Sequence, residues 1–220
     1  MAYVDFLSSI HKRTQRDYVA RVVEFPKAEA ATKAKLWAHD YWDGSRQTGY
    51  GGYHYDGRWR AVAQAMADHY GLKAGDRVLD IGCGKGFLLY ELTQVVPGIE
   101  PVGVDISDYA LEHAKPEIKP FLQKMDATRL DFPDAHFDFV YSLTTLHNLP
   151  CYDLDKALRE MQRVGRQHRY VCVESYRNES EKANLLYWQL TCEAFCTPQE
   201  WQWWFELTGY SGDHSFIFFE

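Results

Sequence analysis

No stretch of the 220-residue chain comes near the ~18 consecutive apolar residues that a membrane-spanning helix needs. A helical membrane protein is therefore not expected, nor is a membrane partner. The opening residues, MAYVDFLSSIHKRTQRDY, hold no apolar core ahead of their basic positions and do not form a secretory leader. The expected location is cytoplasmic. Positive charge is scarce too: Lys and Arg number 24 against 31 Asp and Glu, a formal net charge of −7. A nucleic-acid partner needs a basic face for its phosphates, so none is expected. Cysteine is sparse and odd in number, at Cys83, Cys151, Cys172, Cys192 and Cys196, which excludes a disulfide framework. Cys192 and Cys196 stand four apart in a stretch that reads as helical, on one face. No C-x-x-C or H-x-x-x-H pair supplies the other half of a zinc site. Buried free thiols and no metal are expected.

The chain is 46% apolar and 15% aromatic, long enough for a real core and short enough for one. Residues 1–36 look helical and partly basic. Residues 37–59 then change character: seven of these 23 are Trp or Tyr and five are Gly, where the chain-wide aromatic share predicts between three and four. Glycine at that density predicts a loop. Residues 60–70 predict a helix with Val62, Met66 and Tyr70 on one face and Gly71 as its stop. From Asp76 onward short apolar runs alternate with helical stretches. Strands are predicted at 78–81, 102–105, 121–124, 137–141, 170–173 and 216–219. Helices are predicted at 87–95, 107–114, 153–164, 180–195 and 199–208, with Ser107 capping the second. Strands and helices alternating at this spacing predict an α/β fold. Its sheet is mostly parallel, with helices on both faces and ligands bound beyond the strands' C-terminal ends.

Asp80-Ile81-Gly82-Cys83-Gly84-Lys85-Gly86 leaves a strand and enters a helix. Its glycines allow a tight turn and close approach by a ligand, and the helix behind it offers free N–H groups. A dinucleotide fingerprint, G-x-G-x-x-G, fails because position 87 is Phe. The pattern D-x-G-x-G-x-G, as VLDIGCGKG, resembles the first motif of the class I S-adenosylmethionine-dependent methyltransferases. Further landmarks follow in order: VGVDIS with Asp105, 25 residues after Asp80, then Met125-Asp126-Ala127, then FPDAHFDFVYSLTTLHNLP.

The resemblance covers about residues 75–175. It implies a Rossmann-like sheet ending in an antiparallel edge element, although GYSGDHSFIFFE is short for the usual final pair of strands. It implies S-adenosyl-L-methionine as cofactor, held by Asp80, Gly82, Cys83, Gly84, Gly86, Asp105, Ile106, Asp126, Ala127 and Ser142, with S-adenosyl-L-homocysteine as product. Asp105 would take the ribose hydroxyls and Asp126 the adenine amino group. Residues 1–74 would form N-terminal helices and an aromatic lid. Residues 75–220 would form the core, with a helical insertion at about 177–197.

Candidates on the acceptor side are fewer. His147 follows the fourth strand at the pocket mouth and is a candidate base or orienter. Glu174, ending the fifth strand, and His54 are further catalytic candidates. Tyr50, Tyr53, Tyr55, Arg58, His147 and Tyr187 are candidate acceptor-binding residues, with Arg58 suited to an anion by its fork of donors. Trp201, Trp203 and Trp204 cannot all face one core, so a pocket wall or a homodimer contact is expected. The expected function is methyl transfer to O or N of a small polar metabolite of sugar, phosphate-ester or carboxylate type. A non-catalytic cofactor-binding partner protein is the alternative.

Overall fold

The computed structural model describes residues 1–11 and 16–220. The first helical stretch is three short pieces: α1 (Ser8–His11), α2 (Tyr18–Val23) and α3 (Lys27–Ala34). The part of that expectation falling on residues 12–15 lies outside the described residues. α4 (His39–Trp42) opens the aromatic segment. α5 (Arg60–Tyr70) buries Val62, Ala63, Met66, Ala67 and Tyr70 at helical spacing and stops at Gly71, whose φ of 62° suits a residue without Cβ.

The remaining elements are β1 (Arg77–Ile81), α6 (Phe87–Val95), β2 (Glu100–Asp105), α7 (Asp108–Glu112), β3 (Leu122–Lys124), β4 (Phe137–Leu143), α8 (Cys151–Val164), β5 (Gly165–Glu174), α9 (Glu179–Trp188), α10 (Pro198–Thr208) and β6 (Asp213–Ile217). Ser107 caps α7 as expected, its hydroxyl accepting from the Ala110 N–H at 3.0 Å; such a cap is worth about 1 kcal/mol. α10 opens on a reciprocal Thr197–Glu200 capping box and closes at Gly209.

The six strands run in the order β3-β2-β1-β4-β5-β6, and every neighbouring pair is parallel. β1 and β4 are buried on both faces because helices cover both sides. One core joins α5 and α6 to the sheet through Met66, Leu89, Leu92 and Val78. The other joins α8 and α10 through Leu158, Met161, Trp201 and Phe205. Chain order reverses between β1 and β4, the switch point where such sheets bind ligands.

The antiparallel edge is corrected. α10 carries the chain back along the sheet after β5, so β6 enters in the same direction as β5. No strand forms at 209–212, a turn in which the Tyr210 hydroxyl donates to the Asp213 carbonyl at 2.7 Å. Residues 2–4 cover β6 instead: Val4 N–H donates to the His214 carbonyl and His214 N–H to that of Ala2. Cys192 and Cys196 are corrected also. α9 ends at Trp188, and both thiols sit in the non-helical stretch that follows. Among the described residues no helix is long and apolar enough to cross a membrane.

Candidate active site

β1 ends at the Gly-rich turn, and its first two N–H groups, on Gly82 and Cys83, donate to the Val104 carbonyl at 2.8 and 3.0 Å. Gly82 (φ +79°) and Gly84 (φ +54°) occupy left-handed backbone. A Cβ on Gly82 would lie 2.2 Å from the Thr145 hydroxyl, and one on Gly84 2.7 Å from the Trp42 ring. Asp105 faces this turn from the end of β2. One of its oxygens accepts from Gly84 N–H at 2.7 Å and the other from Ser107 N–H at 2.8 Å. Each oxygen keeps a lone pair for a further donor. Burial raises the Asp105 pKa against the pull of those two N–H groups. Asp80 is buried deeper and pushed up to about 8, by burial and by the nearby Asp105, despite the Tyr141 hydroxyl beside it. Asp126 caps its own turn by accepting from Thr128 N–H at 2.8 Å.

These groups open onto one cavity of about 500 Å³. Asp80, Gly82, Cys83, Gly84, Asp105, Ile106, Asp126 and Ala127 line it, as do Tyr50, Tyr53, His54, Arg58, His147 and Glu174. Four expected residues do not line it. The Ser142 hydroxyl turns inward to the Ile81 carbonyl at 2.8 Å, and Leu143, Thr144 and Thr145 line the cavity in its place. Gly86 lies behind the turn as the N-cap of α6. Tyr55 donates to Glu91 on α6 at 2.5 Å. Tyr187 faces away, and its neighbour Trp188 lines the wall. Trp201 is fully buried and Trp203 exposed, and neither lines the cavity. Burial holds the Cys83 thiol well above its usual pKa, so it fills space and does not act as a thiolate.

The aromatic segment closes one side. Trp42 stacks on Tyr50 (centroids 5.5 Å apart, 17° between planes), and Tyr53 stacks on Phe87 (5.0 Å, 22°). An ion pair between a buried Lys85 and a partly buried Asp43 fastens it. Lys85, inside the Gly-rich turn, donates to both oxygens of Asp43 at 2.7 Å and to the Tyr53 carbonyl at 2.9 Å. Tyr109 and the Tyr53 N–H also donate to Asp43. Burial would raise Asp43, but these bonds hold its pKa below the usual value. Arg58 sits at the exposed rim, 2.6 Å from Asp56, so its fork is already engaged.

On the opposite side, the Glu174 N–H donates to His147 Nδ1 at 3.3 Å. Nδ1 is thus the acceptor nitrogen, and the ring proton belongs on Nε2, 3.4 Å from a Glu174 carboxyl oxygen. Burial drives His147 down to about 3, so the ring is neutral. The Glu193 and Ala194 N–H groups both donate to the His147 carbonyl at 2.9 Å and brace it. Burial pushes Glu174 up to about 8, against a Gln189 hydrogen bond and the Arg16 charge.

Residues 72–209 match a family model described as a methyltransferase domain, well over half of the chain. The chain belongs to the class I S-adenosylmethionine-dependent methyltransferases. It is 31% identical over 143 residues to the 27-O-demethylrifamycin SV methyltransferase of Amycolatopsis mediterranei (60% of this chain, 49% of the relative). It is 36% identical over 126 residues to a demethylmenaquinone methyltransferase of Roseiflexus sp. (56% and 51%). The chain spans about half the length of these relatives. The crystal structure of the YcgJ protein from Bacillus subtilis superposes with a TM-score of 0.54 at 25% identity, covering 66% of each chain.

The match begins at residue 72, so the aromatic segment of this methyltransferase lies outside it. So do Asp43 and three pocket-lining arginines, Arg16, Arg21 and Arg46, that the sequence reading missed. No motif marks them. The only signal was the absence of enough acidic neighbours to pair every basic residue of the N-terminal stretch.

The buried carboxyls give the methyltransferase a pH dependence of stability. Asp80 and Glu174 keep their protons to about pH 8 when folded and lose them near 3.8 and 4.5 when unfolded. Across that interval the folded state binds more protons, so stability falls as pH rises. His147 and His11, lowered to about 3 and about 4, act oppositely, but their effect fades above about 6.5, where the unfolded imidazoles are already half titrated. Between 6.5 and 8 the carboxyls prevail. The ligand-free protein should lose up to about 1.4 kcal/mol per pH unit for each carboxyl there. Urea midpoints at pH 6.5 and 8 check this, and a midpoint that rises across the interval contradicts it.

Proposed function

We propose that this chain transfers a methyl group from S-adenosylmethionine to an O or N atom of a small, polar, anionic metabolite. The observation that carries this is one cavity in which the family's carboxylates and a buried Glu174 face the same space. The donor set fits the cofactor. Asp105, pinned by two N–H groups, keeps a lone pair on each oxygen for the two ribose hydroxyls. Ile106, with its side chain exposed, and Ala127 line the same cavity and would bed the adenine ring, with Asp126 taking its amino group. Gly82 and Gly84 let the methionyl end approach the backbone.

S-adenosylmethionine supplies an already activated methyl group, so the protein's task is to hold an acceptor in line and keep water out. In this reading residues 1–74 supply the cover and residues 75–220 the cofactor frame. Tyr50, Tyr53 and His54 press on the acceptor from the cover. Glu174, rather than His147, takes the acceptor's proton, because Nδ1 of His147 is committed to the Glu174 backbone. A carboxyl near pH 8 is well matched to that task. His147 positions it. The rifamycin relative's name denotes transfer to an oxygen, which agrees with a hydroxyl acceptor.

Calorimetric titration with S-adenosylhomocysteine, with NADH as control, tests the cofactor half. Asp105→Ala removes two charge-assisted hydrogen bonds and should weaken binding by about 100-fold or more. Affinity within threefold of wild type would sink the assignment.

A further inference from the structure

We propose that Arg16, Arg21 and Arg46 form the acceptor's anion subsite, and that the anion is a phosphate or diphosphate ester. This deepens the transferase reading and rests on it. The three guanidinium groups converge on one indole. Arg16, Arg21 and Arg46 lie 5.4, 5.0 and 5.4 Å from the Trp188 ring centroid, and all four residues line the cavity. Three like charges around one ring repel one another. Arg46 disfavours the charged form of both other arginines, adding to the effect of burial.

Backbone carbonyls hold two of the three in place. Arg21 donates to the Arg46 carbonyl and to that of Trp188, and Arg46 donates to that of Tyr50 at 2.9 Å. Neither has a carboxylate within ion-pair distance among the described residues. Arg16 is oriented by His11, whose neutral ring meets its guanidinium at 3.2 Å. Glu174 shares the cavity wall and favours the Arg16 charge, which leaves Arg21 and Arg46 without a carboxylate partner among the described residues.

One carboxylate would neutralise only one of these cations. A phosphate ester carries close to two negative charges at neutral pH and offers three acceptor oxygens, which matches several planar donor forks. The indole face keeps the guanidiniums turned toward the cavity. Position also fits. Gln189, the residue after Trp188, donates to Glu174, so the anion subsite and the proton acceptor are neighbours in space. All three arginines precede residue 72, outside the stretch matched to the family. The arginines thus lie outside the shared frame, while the indole they meet, Trp188, lies within it.

The test uses the full chain, with and without saturating S-adenosylhomocysteine. Inorganic pyrophosphate, phosphate and succinate are titrated calorimetrically at constant ionic strength. Pyrophosphate should bind in both states and more tightly than succinate. Arg21→Gln and Arg46→Gln should each weaken it by about tenfold or more, while Arg159→Gln, on α8, stays within twofold. Unchanged S-adenosylhomocysteine affinity in each variant shows that the fold survives. Four results overturn the proposal: no pyrophosphate binding in either state, succinate bound equally well, loss only in Arg58→Gln, or exclusion of pyrophosphate by S-adenosylhomocysteine. The last would assign the arginines to the cofactor's carboxylate. Wild type that binds pyrophosphate but not S-adenosylhomocysteine would instead sink the transferase reading and keep the anion site.

Discussion

Glu174→Gln should lower turnover by about 10²- to 10⁴-fold and leave S-adenosylhomocysteine affinity within twofold. The amide keeps the carboxyl's shape and still accepts from Gln189, so packing is preserved while the proton acceptor is lost. The wild-type rate should climb with pH and level off above about 8, as burial-protonated Glu174 ionises. The variant's profile should be flat across that range. The measurement is S-adenosylhomocysteine release with a panel of hydroxyl- and amine-bearing phosphate esters. Turnover above a tenth of wild type would remove Glu174 as the base. A raised KM with unchanged kcat would make it a binding group.

Lys85→Met should cost about 3–5 kcal/mol of stability. The substitution strands Asp43 among Tyr109, the Tyr53 N–H and the walls of the Gly-rich turn, with its cation gone. For a domain of this size the melting temperature should drop by about 6–20 °C. Asp43→Leu combined with Lys85→Met should recover much of the loss, since removing both charges leaves no buried ion unpaired. Thermal and urea denaturation of the two single variants and the double variant measure this coupling. Losses that simply add would show that the two residues act independently.

The frame was legible where local chemistry and global fold agree. Asp80 to Gly86 and Asp105 sit at strand ends because short apolar runs, glycine turns and Ser107 each specify one local geometry. The helix over 60–70 was visible for the same reason, in its apolar spacing and Gly71. What the sequence hid was direction and distance. Ser142 sits in the expected motif, yet its hydroxyl turns into the sheet because alternate strand residues face opposite sides. Tyr55 and Tyr187 have the right chemistry and the wrong face. The parallel entry of β6 depends on how α10 packs, which no local pattern encodes. Arg16, Arg21 and Arg46 lie in separate segments and are gathered around Trp188 by the fold, and Asp43 meets Lys85 only because α4 folds over the Gly-rich turn. Contacts of that kind have no sequence spacing to read.

The stub formed by residues 2–4 along β6 has a consequence for behaviour in concentrated solution. A sheet that ended on a bare β6 would offer its unpaired N–H and C=O groups to any passing chain, the usual starting point of fibrillar aggregation. Two backbone bonds between the stub and His214 occupy part of that row, and the stub itself is too short to template a further strand. Colloidal stability at this edge therefore depends on a few residues remote in sequence from the strand they shield.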